Sequence, residues 1–127
     1  MLSFETTDRE DWTHVTDHLK GVYSYHGKLN CTYNQLVNLF GQPAKPVFDD
    51  DKVYTEWFLL GSKNKKVVEA VSVYDWKLNP RYLGKKLPEN PSFKDIHGYT
   101  EDEVIEWHVC ARNDKEAGEL IKYIEEQ

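Results

Sequence analysis

Two β-rich runs separated by six polar residues constrain the fold of this chain more than any other feature. Apolar and aromatic side chains occupy both sets of alternating positions in residues 53–60, and residues 67–76 alternate in a similar way. The segment from Gly61 to Lys66 between them is polar and begins with a glycine, as hairpin loops do. The pattern predicts an antiparallel hairpin, and the apolar character of both faces of the first run favours a central place in a sheet.

Three helices are predicted from their capping residues. Thr7 and Glu10 form a capping box that opens a helix over residues 8–20. Thr32 opens a second box ahead of a short middle helix, which must pack on a sheet to be stable. Asn113 caps a helix at the C-terminus. The middle helix carries an apolar stripe formed by Tyr33, Leu36, Val37 and Phe40, and the last helix carries one formed by Ala117, Leu120, Ile121 and Ile124.

The remaining strand signals complete the predicted architecture. Residues 22–25 and 28–31 read as two short strands joined by a turn at His26-Gly27, and residues 106–111 read as a further strand. We therefore predict one α+β domain over residues 1–127. It consists of a three- to four-stranded antiparallel sheet with an N-terminal helix, a short capped middle helix and a C-terminal helix.

The charge balance argues against a groove that follows nucleic acid. The 127 residues include 16 Lys and Arg against 22 Asp and Glu, so the net charge is −6. Phosphate-tracking grooves depend on clustered basic residues, and direct nucleic-acid binding is therefore not expected. No run approaches the ~20 apolar residues of a membrane span, so no membrane association is expected either.

The cysteines and histidines do not indicate a metal or a cofactor. Cys31 and Cys110 lie among apolar, strand-like residues and away from any metal-ligand spacing. His14 and His18 lie one helical turn apart, but without a third ligand they indicate a solvent-facing pair. The N-terminus lacks the segments of a signal peptide, so we expect free thiols in the cytoplasm. The oligomeric state stays open, a homo-oligomer included.

Charged and aromatic side chains alternate on the predicted strands, and they are the candidates for a ligand site. A carboxylate inside a half-buried strand must be solvated, paired or functional, which applies to Glu56 and to Asp75. Trp and Tyr side chains can stack on a planar ligand or anchor a protein interface. The predicted ligand-binding residues are Lys52, Glu56, Trp57, Tyr74, Asp75, Trp76, Lys77, Trp107 and His108.

The same positions fall within a longer pattern over residues 28–112. Its elements are Tyr33-x-x-Leu36-Val37-x-x-Phe40-Gly41-x-Pro43, Lys52, Glu56-Trp57, Tyr74-Asp75-Trp76-Lys77 and Trp107-His108. This order resembles a group of small, mostly uncharacterised proteins encoded by tailed bacteriophages. It is also similar, in fold only, to the repeat unit of β-lactamase-inhibitor-like and outer-membrane-assembly lipoprotein domains, which are binding modules.

The phage resemblance implies a small accessory protein that acts in the cytoplasm of a bacterial host. Proteins of that kind neutralise a host enzyme or sequester a host signal such as a modified nucleotide. We therefore expect a non-catalytic binding protein with an anti-defence role. Its partner is expected to be a host protein or a small nucleotide-like ligand. The nine positions named above are the site residues that the resemblance implies.

Two other functions are weighed against this expectation. An acidic protein-interaction module or nucleic-acid mimic would present Asp49, Asp50 and Asp51 to a basic partner. A hydrolase would use Glu56, Asp75 and His108, which requires the three side chains to converge on one point. Convergence depends on strand register, and a slip of one residue would place the carboxylates on opposite faces.

Overall fold

The structure is a computed structural model, and it describes residues 2–44 and 52–127. Five strands and four helices lie within these two ranges. In chain order they are β1 (Ser3–Thr7), α1 (Arg9–Leu19), β2 (Ser24–Cys31), α2 (Tyr33–Phe40), β3 (Glu56–Lys63), β4 (Lys66–Tyr74), α3 (Phe93–His97), β5 (Ile105–Ala111) and α4 (Asp114–Glu125). No helix of the described chain is long and apolar enough to cross a membrane.

The strands form one sheet in the order β1-β3-β4-β5-β2, and every pair is antiparallel. The α+β class is confirmed, but the sheet has five strands where three or four were predicted. The additional strand is β1, which precedes the first helix and pairs with β3. Its side chains are mostly polar, and only Phe4 is buried, so it lacks the apolar alternation that marks the other strands.

The structure has a single strand where the sequence predicted two short strands and a turn. Strand β2 runs through His26 and Gly27 without reversing direction, and its register against β5 shifts between Tyr25 and Gly27. A β-bulge therefore replaces the predicted turn. A glycine that follows a polar residue is common in bulges as well as in turns. This shared signal explains why a turn was predicted at His26-Gly27.

The predicted hairpin is confirmed as β3 and β4, with a tighter connection than the six-residue loop we expected. Asn64 and Lys65 make the turn, with φ angles of +52° and +64°. Two residues of positive φ fit the right-handed twist of the strands that they join. The register pairs Glu56 with Tyr74, so these two side chains lie on the same face of the sheet.

The two faces of the sheet are covered unequally. On one of them, here called the core face, α2 and α4 pack over side chains such as Trp57, Val73 and Trp107. The opposite face is here called the outer face. Helix α1 covers part of it, over β3 and β4, where the ring of Trp12 lies 5.4 Å from the ring of Phe58 and the Trp12 indole N–H donates to the carbonyl of Val71 at 2.9 Å. The strands β5 and β2 have no comparable helix packed over this face among the residues described.

The capping box of α2 fixes the point where β2 ends and the helix begins. The Thr32 hydroxyl accepts a hydrogen bond from Gln35 N at 3.0 Å, and the Gln35 side chain accepts one from Thr32 N at 2.7 Å. We expect Thr32→Ala to lower the free energy of unfolding by about 1 kcal/mol, because an N-terminal N–H loses its partner. Thr32→Ser, which keeps the hydroxyl, is the control in urea unfolding, and equal stability of the two variants would contradict this assignment.

Candidate functional site

The alternation of the strands divides the nine predicted site residues into two groups. Six lie on the outer face or at its edge: Lys52, Glu56, Tyr74, Trp76, Lys77 and His108. Three point into the core: Trp57, Asp75 and Trp107. The first group forms a contiguous surface, and the second holds the fold together.

The outer face carries a row of rings across three neighbouring strands, which we call the aromatic row. His108 of β5 is at its centre, with its ring centroid 4.5 Å from that of Tyr25 on β2. On the other side it stacks on Trp76 at 5.7 Å, with an angle of 22° between the ring planes. Tyr74 contacts His108 edge-on, also at 5.7 Å. The pairing of β2, β5 and β4 thus brings together rings from distant parts of the chain.

Two ammonium groups lie over the indole at one end of the aromatic row. Lys52 Nζ is 5.9 Å from the Trp76 ring centroid and Lys77 Nζ is 5.4 Å from it. The backbone holds the two lysines together, since Lys77 N donates a hydrogen bond to the carbonyl of Lys52 at 2.7 Å. Two ammonium groups are therefore in cation–π contact with the ring at this end of the row.

Lys77 adopts a backbone conformation that favours glycine. Its φ is +60°, in the left-handed region, where an L side chain costs of order 1 kcal/mol. A lysine at such a position keeps its side chain over Trp76 at the expense of backbone energy. Residues held in strained backbone are concentrated at functional sites, so the conformation adds to the interest of this end of the row.

Charges of both signs surround the rest of the aromatic row. Lys28 Nζ lies 3.4 Å from a carboxylate oxygen of Glu106, which is also 4.0 Å from Nε2 of His108. On the side of β3, Glu56 forms an ion pair with Arg9 of α1 at 3.6 Å. These pairs are at least partly exposed and contribute little to stability, but they give the row a polar rim.

Burial moves the pKa values of His108 and Tyr74 in the directions that favour their neutral forms. Burial, with a smaller effect of Lys28, lowers the pKa of His108 despite the opposing influence of Glu106. Burial raises the pKa of Tyr74 to about 12 and that of the adjacent Cys110 thiol to about 11. A thiol with so high a pKa is a poor nucleophile. The outer face therefore offers neutral rings and cationic lysines, without an activated nucleophile in the row.

Trp57 and Trp107 pack against each other inside the core. Their ring centroids are 5.5 Å apart in an edge-to-face arrangement, and neither side chain is exposed. The indole N–H of Trp57 donates to the carbonyl of Gly41 at 2.8 Å, and that of Trp107 donates to the carbonyl of Cys31 at 3.0 Å. The prediction that these two residues line a ligand surface is not supported by their position. Strand alternation separates each of them from its neighbour on the outer face.

Asp75 is also buried, with 1% of its surface exposed. Its Oδ1 accepts hydrogen bonds from the backbone N–H groups of Tyr54 at 2.8 Å and Thr55 at 2.9 Å. Its Oδ2 accepts the hydroxyl proton of Tyr99 at 2.8 Å. Burial raises the pKa of this carboxyl, and the hydrogen bonds oppose the shift. Asp75 thus fixes the segment before β3 to the end of β4 and is not available to a ligand on the outer face.

The hydrolase arrangement is not assembled. Glu56 and His108 lie on the outer face, whereas Asp75 lies beneath the sheet on the core face. The three groups therefore cannot converge on one substrate atom. Among the residues that the structure describes, no group of three or more His, Cys, Asp or Glu side chains could hold a metal ion.

The acidic alternative rests on residues of another region. Asp49, Asp50 and Asp51 lie outside the described residues, so the structure does not bear on the predicted acidic surface.

The sequence did not predict one member of the aromatic row. Tyr25 was assigned to a short strand that ended at a turn, and only the continuous bulged strand β2 places it beside His108.

Comparison of the chain with protein-family models gives no match, and comparison with curated proteins gives none either. The residues of the outer face are therefore the basis for any functional assignment.

Proposed function

We propose that this chain is a binding protein whose aromatic row is a non-catalytic site for a small, planar, anionic ligand of the nucleotide type. The observation that carries the proposal is the pair of ammonium groups, from Lys52 and Lys77, over the Trp76 ring at one end of the aromatic row. Rings provide stacking surfaces for a planar group, and ammonium groups attract its negative charge.

The expected interaction energies favour a ligand that uses both features. Stacking of a base on an aromatic side chain contributes about 1–3 kcal/mol, and any base can take part because each has a π face. Tyr25, which is 44% exposed, offers the most accessible ring of the row. A phosphate near Lys52 and Lys77 would gain charge-assisted hydrogen bonds, which are stronger than neutral ones.

The chemistry of the row supports binding without turnover. Cys110 and Tyr74 remain protonated at neutral pH, and Glu56 is paired with Arg9. A ligand placed on these groups meets no activated nucleophile and no pair of carboxylates. Sequestration of a ligand requires only affinity, so a site of this composition is sufficient for that role.

The resemblance to tailed-phage proteins gives the proposal its biological setting. We infer that the protein acts in the cytoplasm of a bacterial host as a phage-encoded accessory or anti-defence protein. In this setting the ligand is a nucleotide-like host signal, which the protein sequesters.

A host protein bound to the same face is the second candidate. The observation that favours it is the rim formed by Lys28, Glu106, Glu56 and Arg9 around the rings. Aromatic centres with polar rims are typical of protein interfaces. In this form the protein inhibits a host enzyme directly, and Tyr25→Ala should abolish capture of that enzyme while leaving the fold intact.

The binding proposal predicts a specific order of affinities, which isothermal titration calorimetry can measure. Adenosine monophosphate should bind more tightly than adenosine, because only the former offers charge to the lysines. Trp76→Ala should weaken binding of both at least tenfold, since the stacking surface is lost. Lys77→Gly should weaken binding of the monophosphate alone and change the free energy of unfolding by no more than about 1 kcal/mol, because glycine accepts the positive φ.

A matched control comes from a lysine elsewhere on the surface. Lys122 of α4 is well exposed and paired with Glu126, so Lys122→Ala should leave every affinity unchanged. No binding by any of a panel of mono-, cyclic and cyclic di-nucleotides would remove the sequestering form of the proposal. Equal loss of affinity in Lys122→Ala and Lys77→Gly would indicate a general effect of charge and would contradict a local site.

A further inference from the structure

Three polar side chains at the junction of β2 and α4 are connected like a nucleophile, a general base and an orienting acid. Ser24 Oγ lies 3.3 Å from His26 Nε2, and His26 Nδ1 lies 2.7 Å from Asp114 Oδ1. A carboxylate can only accept, so its bond to Nδ1 places the imidazole proton there. Nε2 then has a free lone pair for the hydroxyl proton of Ser24. This is the order of contacts that activates a serine in hydrolases.

Local structure explains how these residues meet. His26 is the additional residue of the β-bulge, which changes the direction of its side chain relative to regular alternation. Gly27 follows it and faces α4, where a Cβ would lie 3.0 Å from Ile121 Cδ1. The missing side chain allows the helix to approach the strand closely. Asp114 is the first residue of that helix, and so it reaches His26 from the neighbouring element.

The start of α4 also provides the electrostatic setting. The first N–H groups of a helix have no partner within the helix, and its dipole places partial positive charge at this end. The cap uses one of these groups, since Asn113 Oδ1 accepts from Glu116 N at 2.9 Å. This end of the helix lies beside Asp114, its first residue, and Asp114 in turn accepts from His26.

We propose that Ser24, His26 and Asp114 form a second functional site, which cleaves small, unhindered esters by way of an acyl-serine. Ser24 Oγ attacks the ester carbonyl carbon while its proton passes to His26 Nε2. The bond from the carbonyl carbon to the alkoxy oxygen then breaks, and the alcohol leaves with that proton. Water attacks the acyl-serine next, giving a proton to His26. The carboxylic acid is released, and the proton returns to Ser24.

The position of the site indicates its class of substrate. His26 is partly exposed and Asp114 is almost fully exposed, so the site lies at an open edge and not in a deep pocket. Such a place suits a reactive ester of small size. The activity does not require the ligand of the proposed binding function, and each can fail without the other.

Labelling with a fluorophosphonate, followed by peptide mapping, tests the site in the full-length protein. Ser24 should be labelled at pH 8, and His26→Gln should reduce its labelling at least a hundredfold. Asp114→Asn should give a smaller loss of about tenfold. Ser3, an exposed serine on the other edge strand, is the internal control and should stay unlabelled. Circular dichroism checks that the exposed substitutions leave the fold unchanged.

Hydrolysis of p-nitrophenyl acetate provides an independent measurement. The rate of the parent protein should exceed that of Ser24→Ala. Labelling of Ser3 and Ser24 to the same extent, or labelling of Ser24 that persists in His26→Gln, would overturn the proposal. So would hydrolysis at an equal rate by Ser24→Ala.

Discussion

Asp75→Ala is expected to lower the free energy of unfolding by about 3 to 5 kcal/mol. The substitution removes the acceptor for two backbone N–H groups, those of Tyr54 and Thr55, and for the Tyr99 hydroxyl. Each buried donor left without a partner costs roughly 1–3 kcal/mol, and the vacated volume adds to the loss. Urea unfolding at pH 7 measures the effect. A loss of this size identifies Asp75 as a residue that stabilises the fold, in contrast to the binding role that its neighbours suggested.

Two milder variants separate the parts of this effect. Asp75→Asn keeps an oxygen for Tyr54 and Thr55, so it should cost less than Asp75→Ala. Tyr99→Phe removes only the hydroxyl donor and should cost about 1 kcal/mol. If Asp75→Ala unfolded at the same urea concentration as the parent protein and instead lost affinity for a nucleotide, the structural role would be wrong.

The sequence predicted the elements that depend on local signals. The box formed by Thr32 and Gln35 acts within four residues, and the structure confirms both of its hydrogen bonds. The hairpin of β3 and β4 was predictable for a similar reason, since its strands are adjacent in the chain. Local patterns carry this information because the interactions that they describe do not depend on the rest of the fold.

Strand order depends on contacts between distant segments, and the sequence did not reveal it. β1 pairs with β3 across more than fifty residues, and its side chains lack the apolar alternation of a half-buried strand. The bulge in β2 was also hidden, because a glycine after a polar residue is typical of a turn as well as of a bulge. Tertiary pairing decides between the two.

The candidate site was partly predictable for a related reason. Alternation correctly placed Tyr74 and Trp76 on one face of their strand and Asp75 on the other. It could not show which face the helices cover, so Trp57 and Trp107 were grouped with residues of the opposite face. The contact between His26 and Asp114 spans 88 positions, and no sequence pattern joins them.

Glu69 is a second carboxylate under the sheet, and its surroundings differ from those of Asp75. It is 5% exposed on the core face of β4, and its Oε2 has no hydrogen-bond partner among the described residues. Burial raises its pKa to about 7, and the nearby carboxylates of Glu119 and Glu116 add to the shift against a smaller opposing effect of Lys63. The folded protein therefore retains a proton on Glu69 that the unfolded chain has already lost at pH 6.

This difference predicts that stability falls as pH rises from about 4.5 to about 7. Below this window both states are protonated and Glu69 costs nothing, whereas above it the folded state must hold the charge. We expect the charge on Glu69 to lower the free energy of unfolding by at most about 3 kcal/mol, because the shift is worth about 1.4 kcal/mol per pKa unit and solvent screening reduces it.

Glu69→Gln should therefore match the parent protein near pH 4.5 and exceed its free energy of unfolding by up to about 3 kcal/mol at pH 8. Urea unfolding at pH 4.5, 6 and 8 measures the difference, with Glu5→Gln on the exposed edge strand as the control. Parallel pH profiles for the parent and Glu69→Gln would show that Glu69 ionises freely in the folded protein, and they would contradict the raised pKa.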